Sequence, residues 1–212
     1  MKKDDFTRVQ LGDKYGLVNS KQEFIKNQWF DLCHNFICGF AVVKLKGKYN
    51  FVDKKGNYLS EQWFDSCDDF QEDGFAVVEL KGKYNFIDKK GNYLSEQWFD
   101  YCLKFTEGNG IVQLHDKRNL INKKGEYVSK QWFDCVFKFK NGFSIVMENN
   151  KYNFIDKDGK IFSDKWFSLA DDFQEDGFAR VKFDDKHLLI DKNGKLYRKV
   201  TKYEPIEINQ NK

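Results

Sequence analysis

The chain of 212 residues has one proline, three histidines and no apolar run near the ~20 residues that a membrane-spanning helix needs. Its start, "MKKDDFTRVQLGDKYG", lacks the apolar core of a secretory signal. The charges nearly balance, with a formal net charge of +3, which disfavours a dedicated polyanion binder. The lack of a membrane-spanning run and of a signal-like start predicts a cytoplasmic protein.

The five cysteines are an odd number and show no C-x-x-C spacing, which favours free thiols in a reducing compartment. Cys33, Cys67 and Cys102 each lie four residues after a tryptophan, where two other copies have Val136 and Ala170. Exchange of cysteine with valine and alanine is typical of a small buried position rather than a metal ligand. We therefore expect no metal site and no cofactor.

What the chain has in abundance is phenylalanine, 22 residues, and an internal repeat. The five tryptophans are separated by 34, 35, 34 and 34 residues, and each is followed by Phe and, seven positions on, by another Phe. We predict that these residues form the structural core of the repeat: Trp29, Trp63, Trp98, Trp132, Trp166, Phe36, Phe70, Phe105, Phe139 and Phe173.

The ends of the chain fix the phase of the repeat, since "FTRVQLGDKYGLV" from residue 6 aligns with "FAVVELKGKYNFI" from residue 75. The sequence predicts one repeat domain over residues 1–197, followed by a polar C-terminal tail over 198–212. Its six repeats lie near residues 6–38, 39–73, 74–108, 109–141, 142–176 and 177–197.

Residues 74–100 show the local structure of one repeat. "FAVVEL" and "KYNFID" alternate as strands around a short "KG" break, and "YLSEQWF" follows a glycine-containing loop as a third strand. The fold predicted is all-β, a tandem repeat of six three-stranded antiparallel meanders in an open twisted array. A closed propeller-like ring is the alternative.

The pattern of Lys-aromatic-Gly/Asn, D-x-x-G, aromatic-aromatic-Asp and F-x-x-G resembles the bacterial WG repeat, also called the KWG repeat. The naming dipeptide is present as Tyr15-Gly16 and becomes Tyr49-Asn50 and Tyr84-Asn85, whereas Arg118-Asn119 and His187-Leu188 depart further. The resemblance implies an all-β repeat protein of interaction type, with no catalytic residues to carry over.

No constellation of catalytic or metal-binding residues emerges from the sequence. His34, His115 and His187 fall at different phases of the repeat, so we predict no catalytic site and no enzyme. Asp156-Lys157-Asp158-Gly159 resembles part of a calcium loop, but the glutamate that completes an EF-hand is missing. A hairpin turn accounts for the same residues.

The function predicted is a non-catalytic scaffold that binds a protein partner of unknown identity through a repetitive β surface. Two alternatives stay open: a carbohydrate or cell-wall-binding module, and nucleic-acid binding along an edge lined by turn lysines such as Lys54, Lys55, Lys89 and Lys90. Binding residues are sought where the repeat diverges, in the fourth copy, at His115, Arg118 and Asn119.

Overall fold

The computed structural model describes residues 7–24, 28–198 and 204–205. The chain divides into two compact halves, Met1–Phe105 and Thr106–Lys212, and each half is described by itself. The single repeat domain over residues 1–197 stays a prediction, as does the choice between an open array and a closed ring.

All regular elements in the described ranges are β-strands, which confirms the predicted all-β class. The strands of the N-terminal half are β1 (Thr7–Leu11), β2 (Lys14–Val18), β3 (Leu32–Cys33), β4 (Phe40–Leu45), β5 (Lys48–Asp53), β6 (Ser66–Cys67), β7 (Phe75–Leu80), β8 (Lys83–Asp88) and β9 (Tyr101–Thr106), which leads into the next half. The C-terminal half contains β10 (Asn109–Leu114), β11 (Lys117–Asn122), β12 (Cys135–Val136), β13 (Phe143–Glu148), β14 (Lys151–Asp156), β15 (Leu169–Ala170), β16 (Phe178–Phe183), β17 (Lys186–Asp191), β18 (Leu196–Arg198) and β19 (Glu204–Pro205). Within these ranges, no helix reaches the length and apolar character that crossing a membrane requires.

Each repeat is built on an antiparallel hairpin with a two-residue turn. In β7–β8 the ladder runs from Phe75 opposite Asp88 to Leu80 opposite Lys83. The turn residues Lys81 and Gly82 both have positive φ, as a type I′ turn requires. The predicted "KG" turn is therefore confirmed.

In three other hairpins neither turn residue is glycine, yet both have positive φ; these are His115-Asp116, Asn149-Asn150 and Asp184-Asp185. Asn, Asp and His tolerate this conformation better than most residues with a side chain.

A short connector strand completes the three-stranded sheets. β6 pairs with β7 through Cys67 opposite Val78, which makes the sheet β6-β7-β8, and the sheets β3-β4-β5 and β12-β13-β14 are built alike. The predicted three-stranded antiparallel sheets are thus confirmed. Among the described residues, the first sheet has only β1 and β2, and the last has five strands, β15 to β19.

The third strand is not the segment predicted from the sequence. "YLSEQWF" contributes only two isolated bridges, Tyr93 with Ile87 and Phe99 with Tyr84, and the residues between them are irregular. The third strand is instead the short connector strand that precedes the hairpin, such as β6, which pairs through Ser66 and Cys67. In the three-stranded sheets the connector strand therefore comes first in the chain and the hairpin second.

A buried asparagine explains why this segment leaves the regular ladder. Asn85, which is 0% exposed, donates from Nδ2 to the carbonyls of Ser95 (2.7 Å) and Gln97 (3.3 Å). Its Oδ1 accepts from the N–H of Phe86 at 2.8 Å. The side chain thus replaces main-chain partners that a regular strand would need. Asn50, Asn119 and Asn153 are buried and bonded in the same way.

In the first repeat an aromatic ring occupies the space that the buried asparagine side chain fills in other copies. This repeat has Gly16 where four other copies have asparagine, and the ring of Phe24 occupies the space beside it. A Cβ on Gly16 would lie 2.5 Å from that ring, so the position excludes any side chain while Phe24 stays in place.

An aspartate joins each of several hairpins to the next. The Asp65 carboxylate accepts from the Lys48 ammonium of one hairpin and from the Lys81 N–H (2.6 Å) in the turn of the following hairpin. Asp31 and Asp134 make the same two contacts with their own neighbours. We call this arrangement the aspartate clamp.

Among the described residues, the last junction between two hairpins lacks the aspartate clamp, because Ser168 stands at the position of the aspartate. Its Oγ donates instead to the Lys182 carbonyl at 3.2 Å.

The lysine of each clamp also affects the titration of its aspartate. Its hydrogen bond to the carboxylate is the main reason why the pKa values of Asp31, Asp65 and Asp134 lie below the usual aspartate value.

The glycine of a D-x-x-G loop packs against the irregular segment of the preceding repeat. Gly91 has φ +88, and a Cβ there would lie 2.8 Å from the Leu59 carbonyl oxygen of the preceding repeat. At Gly159, with φ +82, the same construction gives 1.8 Å to the Val128 carbonyl oxygen. Glycine is required at these loops both for the backbone conformation and for the approach of one repeat to the next.

Little of the predicted polar tail, 198–212, can be compared with the structure. Arg198 ends β18, and β19 pairs with β18 through Pro205 opposite Tyr197. The remaining tail residues lie outside the described residues.

Gly159→Ala is expected to destabilise the protein more than Gly142→Ala. Both glycines have positive φ, but a Cβ on Gly142 meets nothing within 4 Å. The control substitution should therefore cost only the conformational term, about 1–2 kcal/mol, and Gly159→Ala should add the cost of the clash with Val128. Guanidinium unfolding of both variants measures this difference, and equal losses would contradict the packing role.

Acid is expected to weaken the aspartate clamps. A carboxyl whose pKa is lowered by folding stabilises the protein above its unfolded pKa of about 4, and this contribution is lost as the pH falls through the lower folded value. Asp65→Asn should therefore lower the urea midpoint at pH 7 and lower it less at pH 3. The exposed carboxyl of Glu61 offers a control, Glu61→Gln, expected to change the midpoint little at either pH. An Asp65→Asn effect that is unchanged at pH 3 would argue against the clamp.

Candidate interaction surface

The binding residues predicted in the fourth repeat differ in exposure and in contacts, and their role in binding stays a prediction. His115 is exposed in the turn between β10 and β11, whereas Asn119 is 0% exposed and bonded inside its repeat. Arg118 is half-buried, and it donates from Nε to Gln113 Oε1 (3.1 Å) and from Nη1 to Cys135 Sγ (3.4 Å). His115 therefore lies in a turn, Asn119 in the interior and Arg118 on the surface of a strand.

The five tryptophans are half-buried rather than fully buried. Four of them contact an aromatic ring that lies five residues earlier in the chain, with ring centroids 5.0–5.2 Å apart; the pairs are Phe24–Trp29, Tyr58–Trp63, Tyr93–Trp98 and Tyr127–Trp132. In the fifth copy Ile161 stands at the position of the partner ring. The tryptophans thus combine packing against the sheet with an exposed part.

The deepest positions belong to the phenylalanines that follow the tryptophans. They are at most 1% exposed: Phe30, Phe64, Phe99, Phe133 and Phe167. Each forms the isolated bridge to the preceding hairpin, as Phe99 does with Tyr84. They were not among the predicted core residues, although the repeated Trp-Phe pair was the signal that could have identified them.

The phenylalanines seven residues after the tryptophans pack onto the preceding hairpin. Phe70 is buried, with its ring 4.8 Å from that of Phe51 and 5.0 Å from that of Phe40. Phe105, Phe139 and Phe173 are buried too, whereas Phe36 is only partly buried. These residues join each connector to the hairpin before it.

Aromatic side chains recur along one edge of the sheets, outside the second strand of each hairpin. Tyr93 contacts Trp98 of its own repeat and, at 6.3 Å between ring centroids, Phe64 of the preceding repeat. Even so, 39% of Tyr93 and 43% of Tyr127 remain exposed. We name the partly exposed aromatic pairs of the N-terminal half the aromatic row: Phe24, Trp29, Tyr58, Trp63, Tyr93 and Trp98. The C-terminal half carries a pair of the same kind, Tyr127 and Trp132.

Exposed lysines lie in the loops that precede these aromatic pairs in both halves. These are Lys54, Lys55, Lys89, Lys90, Lys123 and Lys124. The aspartate of each loop is used internally: Asp88 Oδ1 accepts from the N–H groups of Lys90 (2.8 Å) and Asn92 (2.9 Å). The lysines therefore face solvent while the nearby carboxylate fixes the loop.

The loop that resembles part of a calcium site follows the same pattern. Asp156 Oδ1 accepts from the N–H groups of Asp158 (3.0 Å) and Lys160 (2.9 Å). These bonds are those of an Asx turn, so the turn accounts for this aspartate without a cation.

The comparison with protein families gives a decisive match. The family model for the WG containing repeat matches residues 15–49, 51–84, 120–152 and 154–186, which together make up more than half of the chain. The chain belongs to the WG repeat family. Each matched WG segment runs from the second strand of one hairpin to that of the next, so it includes the irregular segment, the tryptophan and the connector strand. A model for the RtxA repeat also matches residues 81–93.

Solved structures share only a weak likeness with this WG protein. Hsv2 of Kluyveromyces lactis with loop 6CD replaced by a Gly-Ser linker has 10% identity and a TM-score of 0.45 over 92% of this chain and 89% of its own. A eukaryotic initiation factor has 11% identity and a TM-score of 0.45, over 93% and 63%.

A Bacteroides caccae protein of unknown function has 14% identity and a TM-score of 0.31, over 90% and 91%. Scores this low support no inference about function or about how the repeats are arranged. No curated protein sequence matches the chain.

Phe99→Ala is expected to destabilise the protein more than Trp98→Ala, although tryptophan is the larger residue. Phe99 is fully buried, so its removal leaves a cavity and should cost about 3–5 kcal/mol. Trp98 is half-buried, so its truncation should cost roughly half as much. Denaturant unfolding of the two variants gives the ranking, and the reverse order would show that the tryptophan carries the core.

Proposed function

We propose that this WG protein is a non-catalytic scaffold that binds a protein partner through the aromatic row. The observation that carries the proposal is the repeated exposure of large aromatic side chains, with Tyr93 and Tyr127 each about two-fifths exposed. Tyrosine and tryptophan are the residues that most often dominate the binding energy of protein interfaces. Their regular spacing along a repeat suits an extended partner segment.

The aromatic row is also held in place before any partner arrives. Tyr93 packs edge-on against Trp98, and the segment between them is fixed by the amide of Asn85. A rigid aromatic surface loses less conformational entropy on binding than a mobile one, which favours affinity.

The absence of catalysis is part of the proposal. Carboxylates at repeated positions, such as Asp65 and Asp88, are engaged by lysine or by main-chain N–H groups. This use supports a structural role, because such carboxylates are already stabilised in their charged form. We also place the protein in the cytoplasm, in keeping with its five free cysteines.

The proposal predicts that removing two tyrosine rings of the aromatic row sharply reduces partner capture. Tyr58→Ser with Tyr93→Ser should reduce by at least about tenfold the proteins that the immobilised chain retains from a lysate of its source cells, as expected for the loss of two aromatic contacts. Tyr101, which is 40% exposed but lies outside the aromatic row, provides the matched control Tyr101→Ser. Quantitative mass spectrometry measures the retained proteins, and thermal unfolding checks that both variants are folded.

Two results would overturn the proposal. Equal capture by the double variant and the wild type would show that the aromatic row is not the binding surface. Salt-sensitive retention on DNA, or binding on a glycan array that the double variant loses, would assign the same surface to nucleic acid or carbohydrate instead.

A further inference from the structure

A cavity opens in the N-terminal half between the first hairpin and the connector that follows it. Its volume is about 440 Å³, and Arg8, Leu17, His34, Phe36 and Lys54 contribute to its lining. This volume lies within the range of small-molecule sites, roughly 300–1,000 Å³.

Two substitutions at repeat positions account for the cavity. Arg8 lies opposite Leu17 in the first hairpin, where the second hairpin has Val42 opposite Phe51. Val42 and Phe51 are at most 1% exposed, and the ring of Phe51 packs against Phe70. Leucine in place of phenylalanine leaves space, and arginine in place of valine brings a charge to it.

Two cationic side chains line the cavity, Arg8 and Lys54. No carboxylate is among the described residues of its lining, and His34 adds an imidazole. His34 Nδ1 lies 3.0 Å from Asp69 Oδ1, a contact that fixes the orientation of the imidazole ring.

Contacts with the described residues orient the Arg8 guanidinium and use only part of its donors. Its Nη1 donates to the Cys33 carbonyl at 3.0 Å, and its carbon lies 5.2 Å from the centroid of the Tyr15 ring. A guanidinium has five N–H donors, so the Cys33 carbonyl engages only part of the group. Held in this way, the planar fork presents the donor geometry that matches a phosphate group.

We propose that this cavity binds a small organic phosphate. The phosphate group would be held by Arg8 and Lys54, with the second nitrogen of His34 as a further hydrogen-bonding group. The side chains of Leu17 and Phe36 provide apolar wall for the organic part of the ligand. The site goes beyond the proposed protein-binding function and lies on residues that the aromatic row does not use.

The last repeat provides an internal comparison. Arg180 and Leu189 occupy the positions of Arg8 and Leu17, and they line a smaller cavity of about 270 Å³. Asp176 contributes to that lining and would repel an anion. Both cavities contain an arginine, so the arginine alone does not distinguish the proposed phosphate site from the cavity of the last repeat. Arg180→Gln is therefore a matched control.

Phenyl phosphate titrated into the full chain, followed by NMR chemical shifts and calorimetry, tests the proposal. Saturable binding is expected, with shifts at residues 34–39 and weaker binding of inorganic phosphate, which lacks the apolar part. Arg8→Gln should weaken phenyl phosphate binding by about tenfold or more, as expected for the loss of charge-assisted hydrogen bonds, and Arg180→Gln should leave it unchanged.

A second variant covers the case in which Arg8→Gln fails to fold. Lys54 lies in an exposed loop, so Lys54→Gln should fold normally and still weaken binding several-fold. The proposal is overturned if phenyl phosphate does not saturate, if phenol binds equally well, or if Arg180→Gln weakens binding as much as Arg8→Gln.

Discussion

The carboxamide of a buried asparagine sets the shape of most repeats in this protein. In the second strand of the hairpin, Asn85 gives its N–H groups to carbonyls of the segment before the tryptophan and its oxygen to a main-chain N–H. Since an unpaired buried amide costs about 1–3 kcal/mol, the side chain and the irregular segment depend on each other. This contact holds the Trp-Phe pair with one ring at the surface and the next in the core.

Two further constraints convert separate hairpins into a stack. The aspartate clamp ties one hairpin to the turn of the next, and the loop glycines allow each loop to contact the irregular segment of the repeat before it. The aromatic row follows from this arrangement, because each repeat that has an aromatic pair places it outside the second strand of its own hairpin. The candidate interaction surface is therefore a by-product of how the repeats hold together, and its spacing is fixed by the same contacts.

Much of the fold can be predicted from the sequence because each structural position of the repeat occurs several times in it. The hairpins follow from alternation and from turn residues such as Lys81-Gly82, and the family follows from the recurring motif. The third strand was misplaced because a hydrogen bond from Asn85 to carbonyls ten and twelve residues away leaves no periodic signal. For the same reason, the sequence predicted tryptophan as core but could not divide burial between Trp98 and Phe99, or show that Asn119 lies inside.

Because Ser168 replaces the clamp aspartate, the junctions between hairpins in the C-terminal half are not equally strong. In an array where each repeat is coupled mainly to its neighbours, the free energy of opening is lowest at the junction with the weakest coupling. The last hairpin lacks the charge-assisted link that Asp134 provides one repeat earlier. Local opening of this half is therefore expected to start at its last hairpin and to proceed toward the repeat held by Asp134.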